Sequence, residues 1–512
     1  MTNASHSTLG VLPSVPLLVI VQAVVSAASL VVEIVAGRML APYVGMSLYT
    51  WTSIIAVVLA GFSAGHWAGG RIAEMDSGRA LRWTGWSMVG AALTTAAALF
   101  LLRWGASIVL PMTENQIVAI VALCSIAFFT PSFFAGIPAP VLAQISVAAN
   151  PEASGRALGA MFAAGAIGAI AGTLLAGFVF ISWLGSVGTL VAVTLCYLAA
   201  AGLLLVWARR AGVAVAWLWA GVSLVAGLGL AGAALSQPSP CTRESDYFCI
   251  RTVDISADPN SPVHMMVLDH LVHGRGARDL PQVIFYDSAA LFDLLAQARV
   301  DAPGFSAFFI GGGTYSVPRK WALATPPARM TVAEIDPAVT ETAVEDFWFD
   351  PASATVLTED ARAALRTRPD RYDVIVGDAF TDIAVPPHLI TREFFELVRD
   401  RLEPGGSYLM NVVDHADNLR ALASTIVTLR QVFPVVEVWT EARRPAPGER
   451  LVFILAAGQT ETPVSRLNGR SPDPIQFARL ADDTVEAIVT TRAPIVLTDD
   501  FAPIDRLMGT RF

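Results

Sequence analysis

FFIGGGTYSVPRKWALATPPARMTVAEIDP, residues 308–337, carries an apolar strand straight into three glycines, Gly311 to Gly313. About 20 residues further on, a second strand ends in an acid, Glu334, which is the layout of a nucleoside-binding βαβ unit. Glycines let the backbone approach a ligand closely. The acid is placed to accept hydrogen bonds from ribose hydroxyls. The spacing GxGxxG is not met, so a dinucleotide is the weaker alternative.

The surrounding text repeats the pattern. Val263–Gly274 alternates like a strand and predicts a small β-rich segment ahead of the α/β region. DSAALFDLLAQARV, from Asp287, predicts an amphipathic helix capped by Asp287 or Ser288. Asp336-Pro337 opens a further helix with proline in its first turn. Thr355–Thr358 reads as a strand before Glu359-Asp360, and YDVIVGDAF, Tyr372–Phe380, as a buried strand ending in Asp378. EFFELVRDRLEPGG reads as a helix closed by Pro and Gly, and SYLMNVVD, Ser407–Asp414, as the next strand. Strand and helix alternate, so the expected fold is a mostly parallel, doubly wound sheet of the Rossmann-like, S-adenosylmethionine-dependent methyltransferase type. Glu334, Asp360 and Asp378 each end a successive strand, where such sheets bind ligands. Any one of them alone would serve equally as a helix N-cap. All three in this order point to a nucleoside, with Asp360 facing the base and Asp378 beside the reacting centre. VLTDDFAPIDRL, Val496–Leu507, is expected to dock on the domain with Asp499 and Asp500 near the mouth.

The motifs GGGTYSVPR, VAEIDP, TEDAR and VGDAFTDIAVPPHLITREFF resemble the spermidine synthase (polyamine aminopropyltransferase) family, in particular its bacterial branch with an N-terminal membrane domain. The likeness runs from about Ser245 to Asp414, with a looser likeness in VVEIVAGRMLAPYVG. The resemblance implies transfer of an aminopropyl group from decarboxylated S-adenosylmethionine to a putrescine-like amine, with methylthioadenosine released. By the same likeness Gly311, Gly312, Gly313 and Thr314 form the cosubstrate loop, Glu334 holds the ribose, and Asp360 with Ala361 faces adenine. Asp378 matches the catalytic acid, Asp382 assists it, and Tyr286 resembles an aromatic beside the reacting chain. Where the soluble synthases carry GGGDG, this chain has Thr314 and Tyr315. A neutral Thr holds an ammonium less well than Asp, so intact S-adenosylmethionine is the alternative donor, with Arg319 near its carboxylate. A sensor or transporter that only binds the nucleoside or polyamine is the non-enzymatic alternative. Soluble members are often dimers, so a homodimer is expected.

The other half of the chain has a different composition. Of the 512 residues 54% are hydrophobic and only 15% charged, too apolar for an ordinary soluble protein, and the apolar runs concentrate before residue 238. The expected division is therefore 1–237, a multi-span helical membrane domain, and 238–512, the α/β domain. A net charge of −9 without a basic stripe argues against nucleic acid as a partner. No Lys/Arg-bearing signal region precedes the first apolar run. Seven spans are expected, at Leu17–Leu40, Thr52–Ala68, Trp83–Leu102, Gln116–Phe134, Leu158–Ile181, Val187–Ala208 and Val213–Leu235. Pro131, Pro138 and Pro140 leave the fourth open between one kinked helix and a span followed by a re-entrant piece. GAMFAAGAIGAIAGTLLAG in the fifth predicts close helix packing. Glu33 and Arg38 lie in or near the first span, either paired with each other or serving a function.

With the resemblance, the expected placement is that of a multi-pass bacterial inner-membrane protein. Arg71, Arg79, Arg82, Arg156, Arg209 and Arg210 put three loops in the cytoplasm, which with seven spans leaves the α/β domain outside. Supply of a cytosolic nucleoside favours the cytoplasmic face instead. Cys241 and Cys249, in CTRESDYFC, either bridge in an oxidising compartment or stand as free thiols. They lack the second pair a zinc site needs. His264, His270 and His273 form no metal-ligand cluster, and no metal is expected. His388 is read either as lining the acceptor pocket or as capping its loop.

Overall fold

The computed structural model describes residues 12–113, 115–149, 151–300, 302–380 and 385–508. The chain divides into two compact units, Met1–Pro240 and Cys241–Phe512.

The first unit is helical: α1 (Val15–Val44), α2 (Leu48–Ala73), α3 (Ser77–Met112), α4 (Gln116–Cys124), α5 (Thr130–Gly136), α6 (Pro138–Ala149), α7 (Ser154–Leu175), α8 (Ile181–Arg210) and α9 (Trp217–Ser236). Among the described residues six helical stretches are long and apolar enough to cross a membrane, not the seven expected. The difference lies in residues 151–210, which run as one stretch of 60 residues. Inside it Gly185 leaves helical geometry (φ 66°, ψ 175°), between the expected fifth and sixth spans. The proline-rich segment is helical from α4 to α6, through a π-turn at Ser125–Phe129 and an Ile137 that keeps helical dihedrals. That matches the kinked-helix alternative. Small residues set the packing. A Cβ at Gly168 or Gly172 of α7 would fall 2.1 or 2.2 Å from the carbonyl oxygens of Ala23 and Ala27 on α1. Only backbone bare of side chain fits so close.

The second unit opens with a four-stranded antiparallel sheet in the order β1-β2-β3-β4: β1 (Arg243–Glu244), β2 (Cys249–Asp254), β3 (Val263–Leu268) and β4 (Leu271–Ala277). Cys241 is disulfide-bonded to Cys249, tying the start of this unit to β2. Then follow α10 (Asp287–Arg299), β5 (Ser306–Ile310), α11 (Ser316–Trp321), β6 (Arg329–Ala333), α12 (Pro337–Asp346), β7 (Thr355–Leu357), α13 (Ala361–Thr367), β8 (Tyr372–Gly377), α14 (Arg392–Asp400), β9 (Leu402–His415), α15 (Arg420–Leu429), β10 (Val435–Glu441), β11 (Arg450–Gly458), β12 (Arg466–Arg470), β13 (Pro474–Arg479), α16 (Asp482–Thr491) and α17 (Ile504–Met508).

These strands form one nine-stranded sheet, β12-β13-β10-β11-β9-β8-β5-β6-β7. From β7 to β9 all neighbours are parallel, and from β9 outward every pair is antiparallel. The expectation of a mostly parallel sheet therefore holds for one half only. The reason is local: β10 and β11 are joined by a hairpin rather than a helical crossover, and a hairpin reverses the chain. The reversed β11 beside β9, with β10 outside it, is the strand order of methyltransferase-type α/β folds.

Two local expectations shift. α10 starts after an extended Tyr286, and neither Asp287 nor Ser288 caps it. Glu403 to Gly406, read as a helix end, belong to β9 beside a register shift at Tyr372/Val374. The apolar strands are buried on both faces, as a sheet covered by helices requires. Leu497, Ile504, Leu507 and Met508 of the closing segment are buried in the core beneath it.

Candidate active site

The first strand β5 lies between β6 and β8, so the chain's crossovers part on either side of it. A cavity of about 630 Å³ opens there, at the C-terminal ends of the parallel strands.

Its floor is set by glycine. Gly311 follows β5 at φ 91°, and a Cβ there would stand 2.8 Å from the carbonyl oxygen of Asp378. The ends of β5 and β8 thus meet backbone to backbone, and the Asp378 amide donates to the Ile310 carbonyl at 3.0 Å. Gly313 also lies in the left-handed region (φ 51°). Tyr315 does so too (φ 53°), which a tyrosine tolerates only when its surroundings hold it. Here the ring is fully buried, stacked on Phe349 at 4.2 Å, with its hydroxyl 2.7 Å from Thr340 Oγ1. Tyr315 anchors the loop in the core and does not line the cavity.

Glu334 grips the same loop. Its carboxylate accepts the Gly312 amide at 2.8 Å and the Asp336 amide at 2.9 Å, one on each oxygen. Burial raises its pKa, against the lowering effect of those amides. Each oxygen keeps further acceptor capacity. Asp360 caps α13 through the Ala363 amide, and Ala361 begins that helix. Its other oxygen lies 2.7 Å from His388 Nε2. Burial works against the charged form of Asp360, but the bonds from His388 and Ala363 prevail and hold its pKa low. His388 is thus both a lining residue and the partner of Asp360.

Asp378 faces the cavity at the end of β8. Its Oδ1 accepts from Asn411 Nδ2 at 2.9 Å. Enclosure raises its pKa, and the Asn411 bond acts in the opposite direction. Tyr286 also lines the cavity, its hydroxyl donating to the Val272 carbonyl at 2.9 Å. Its pKa is raised first by burial and then by the charge of Asp378.

Gly311, Gly313, Glu334, Asp360, Ala361, Asp378 and Tyr286 are therefore brought to one cavity. Thr314 and Gly312 are not among its lining residues. The Thr314 hydroxyl lies 2.7 Å from Ser316 Oγ, and its side chain fills the space beside Gly274. Arg319, expected near a donor carboxylate, instead donates to the carbonyls of Ala277 and Arg278. Asp382 lies outside the described residues. Among the described residues no group of His, Cys, Asp and Glu is placed to hold a metal ion.

Several lining residues are not evident from the motifs. Asn411 is one polar residue in an apolar strand, and its Oδ1 is buried without a partner. The Ser288 hydroxyl, 2% exposed, is likewise unpartnered. His270 and His273 come from the small sheet, with pKa values lowered to about 4 by burial first and then by Arg450 and Arg251 for His270 and by His270 for His273. Arg450 comes from β11. The only sequence signal for Asn411 was its polarity within YLMNVV.

Residues 307–466 match the family described as spermine/spermidine synthase domain. The chain is 36% identical over 150 residues to the probable polyamine aminopropyl transferase of Bifidobacterium longum, covering 28% of this chain and 32% of that protein. It is 25% identical over 380 residues to polyamine aminopropyltransferase 2 of Streptomyces coelicolor, covering 66% of this chain and 67% of that one. This longer match takes in more than the second unit alone. The chain spans about a third of the length of the first relatives it matches. Among solved structures, a probable spermidine synthase from Corynebacterium glutamicum aligns with a TM-score of 0.44 and 23% identity, over 51% of this chain and 96% of that one.

Proposed function

We propose that the second unit transfers an aminopropyl group from decarboxylated S-adenosylmethionine to an amine, releasing methylthioadenosine. The observation that carries this reading is Asp378, held by Asn411 in an enclosed cavity and touching the glycine loop that Glu334 braces. In this reading Glu334 accepts the ribose hydroxyls, Asp360 and Ala361 face adenine, and Gly311 and Gly313 let the chain approach the donor closely. The amine nitrogen attacks the carbon joined to the sulfonium. The electron pair of that carbon–sulfur bond returns to sulfur, methylthioadenosine leaves, and the proton shed by nitrogen goes to Asp378. A carboxylate with a raised pKa suits that task, because only the neutral amine has a lone pair.

Intact S-adenosylmethionine is the second reading. It is favoured by a glycine loop that offers the cavity no acid for the donor's ammonium. Incubating the purified full-length protein with each donor and an amine, with products identified by mass spectrometry, separates the readings. Methylthioadenosine with an acceptor enlarged by aminopropyl supports the first. S-adenosylhomocysteine indicates methyl transfer from intact S-adenosylmethionine and refutes the first.

We also propose that the first unit spans a bacterial inner membrane. The stretch of 60 residues would be about 90 Å long if straight, three times the hydrocarbon core. Read as two crossings broken at Gly185, it restores seven, returns Arg209 and Arg210 to the side of Arg79 and Arg156, and leaves the catalytic unit outside. The Cys241–Cys249 disulfide supports the same side, since disulfides persist in oxidising compartments. Together these outweigh the supply of a cytosolic donor as a guide to topology.

A further inference from the structure

One wall of the cavity is a strand pair that carries Arg450. β9 and β11 pair with Asn411 opposite Ile454, Val413 opposite Val452, and His415 opposite Arg450. Alternate residues of a strand share a face. Asn411, Val413, Val452 and Arg450 accordingly form one strip, and all four line the cavity. The strip starts at Asp378, which Asn411 holds at 2.9 Å, and ends at Arg450. From Ile454 to Arg450 is four residues, roughly 13 Å along the strand, and Arg450 stands exposed at its outer end. Two valines lie between the charged ends.

Arg450 is the one Lys or Arg among the described residues lining the cavity. His270 is close enough to Arg450 to feel its charge, and His273 meets Gly313 of the glycine loop through its carbonyl; burial holds both neutral. The fixed positive charge there belongs to the guanidinium. It carries five donors in a planar fork, so a contact with a neighbouring group leaves capacity for a carboxylate. A strip with an acid at one end, an arginine at the other and valines between is mismatched to a diamine, whose second ammonium would approach the guanidinium. It matches a chain with an amine at one end and a carboxylate at the other.

We propose that Arg450 anchors a carboxylate of the reacting pair, so that this site selects a substrate bearing an acid several carbons from its reacting end. The proposal rests on the reading above, in which Asp378 receives the amine. The carboxylate has two sources: the acceptor, as an ω-amino acid, or the donor, as the α-carboxylate of intact S-adenosylmethionine.

The test pairs each donor, decarboxylated or intact, with 1,5-diaminopentane or 5-aminopentanoate, using the full-length protein and its Arg450→Gln and Arg450→Lys variants. A carboxylate-bearing pair should be preferred by about tenfold or more in kcat/KM, the usual scale of a charge-assisted hydrogen bond. Arg450→Gln should bring that ratio close to one, and Arg450→Lys should restore part of it. A preference that follows the acceptor assigns the carboxylate to the acceptor, and one that follows the donor assigns it to the donor. If the diamine with decarboxylated donor is the best pair and Arg450→Gln leaves the ratios as they were, the anchor is refuted and the transferase reading stands. If no pair turns over, the transferase reading fails and calorimetry decides the anchor. Arg450→Gln must then weaken binding of 5-aminopentanoate or S-adenosylmethionine by about tenfold, and equal binding refutes it.

Discussion

Asp378→Asn isolates the proton-transfer step. The substitution keeps the shape of the side chain, and its remaining carbonyl oxygen still accepts from Asn411 Nδ2, now at 2.9 Å from Oδ1. The size of the loss follows from the acceptor. A primary amine with a pKa near that of lysine, about 10.4, is neutral in only about one molecule in 10³ at pH 7.4. If Asp378 serves to deprotonate the bound ammonium, the variant must wait for that neutral fraction. Turnover should then fall about 10³-fold, inside the ~10²–10⁴ range for a positioned general base. The defect should shrink by about tenfold per pH unit towards pH 10, as the amine deprotonates in solution. Methylthioadenosine release measured from pH 7 to 10 gives the slope, and calorimetry with methylthioadenosine checks that cosubstrate binding is retained. Stability should move the other way. The folded-state pKa of Asp378 is raised, so the stability linked to its protonation is present at low pH and lost as pH rises through the folded value. At neutral pH the charged side chain therefore destabilises the fold, and Asp378→Asn should raise the melting temperature. A defect independent of pH would refute deprotonation as the role of Asp378, and unchanged turnover would refute the assignment altogether.

Other perturbations test the frame around it. Gly311→Ala places a Cβ against the Asp378 carbonyl at a φ of 91°; unfolding titrations should show a loss of about 1–3 kcal/mol from backbone strain alone, and a wild-type midpoint would contradict the close approach. Asn411→Leu removes the bond that lowers the Asp378 pKa, so the acid limb of the kcat/KM profile should move to higher pH; an unmoved limb would show that Asn411 does not tune the acid. A phosphatase reporter fused after residue 512 should be active if the proposed seven crossings hold, since that reading and the Cys241–Cys249 disulfide would put that end on the oxidising side; a cytoplasmic-only reporter signal would overturn the topology.

The strands of the parallel half were legible because each is an apolar run ended by glycine or an acid, and a strand buried on both faces needs that composition. Glu334, Asp360 and Asp378 were legible for the same reason: they sit where the apolar run stops. The antiparallel half was harder to read, since strand direction depends on whether a connection is a hairpin or a crossover, and the residues between β10 and β11 carry little signal of either.

The helical unit shows the same division. Its apolar runs and small-residue stripe stood out from composition alone, while the joining of two runs across Gly185 depended on one residue's dihedrals. The sequence by itself determined that an apolar helical half precedes an α/β half with a nucleoside-type loop and three strand-end acids. Only the tertiary structure decided that Thr314 turns from the cavity, that Tyr315 serves as an anchor in the core, and that Asn411 and Arg450 join Asp378 on one face. Local pattern records how a residue relates to its chain neighbours. The face it shares with another strand is set by register, and register comes from pairing between segments far apart in sequence.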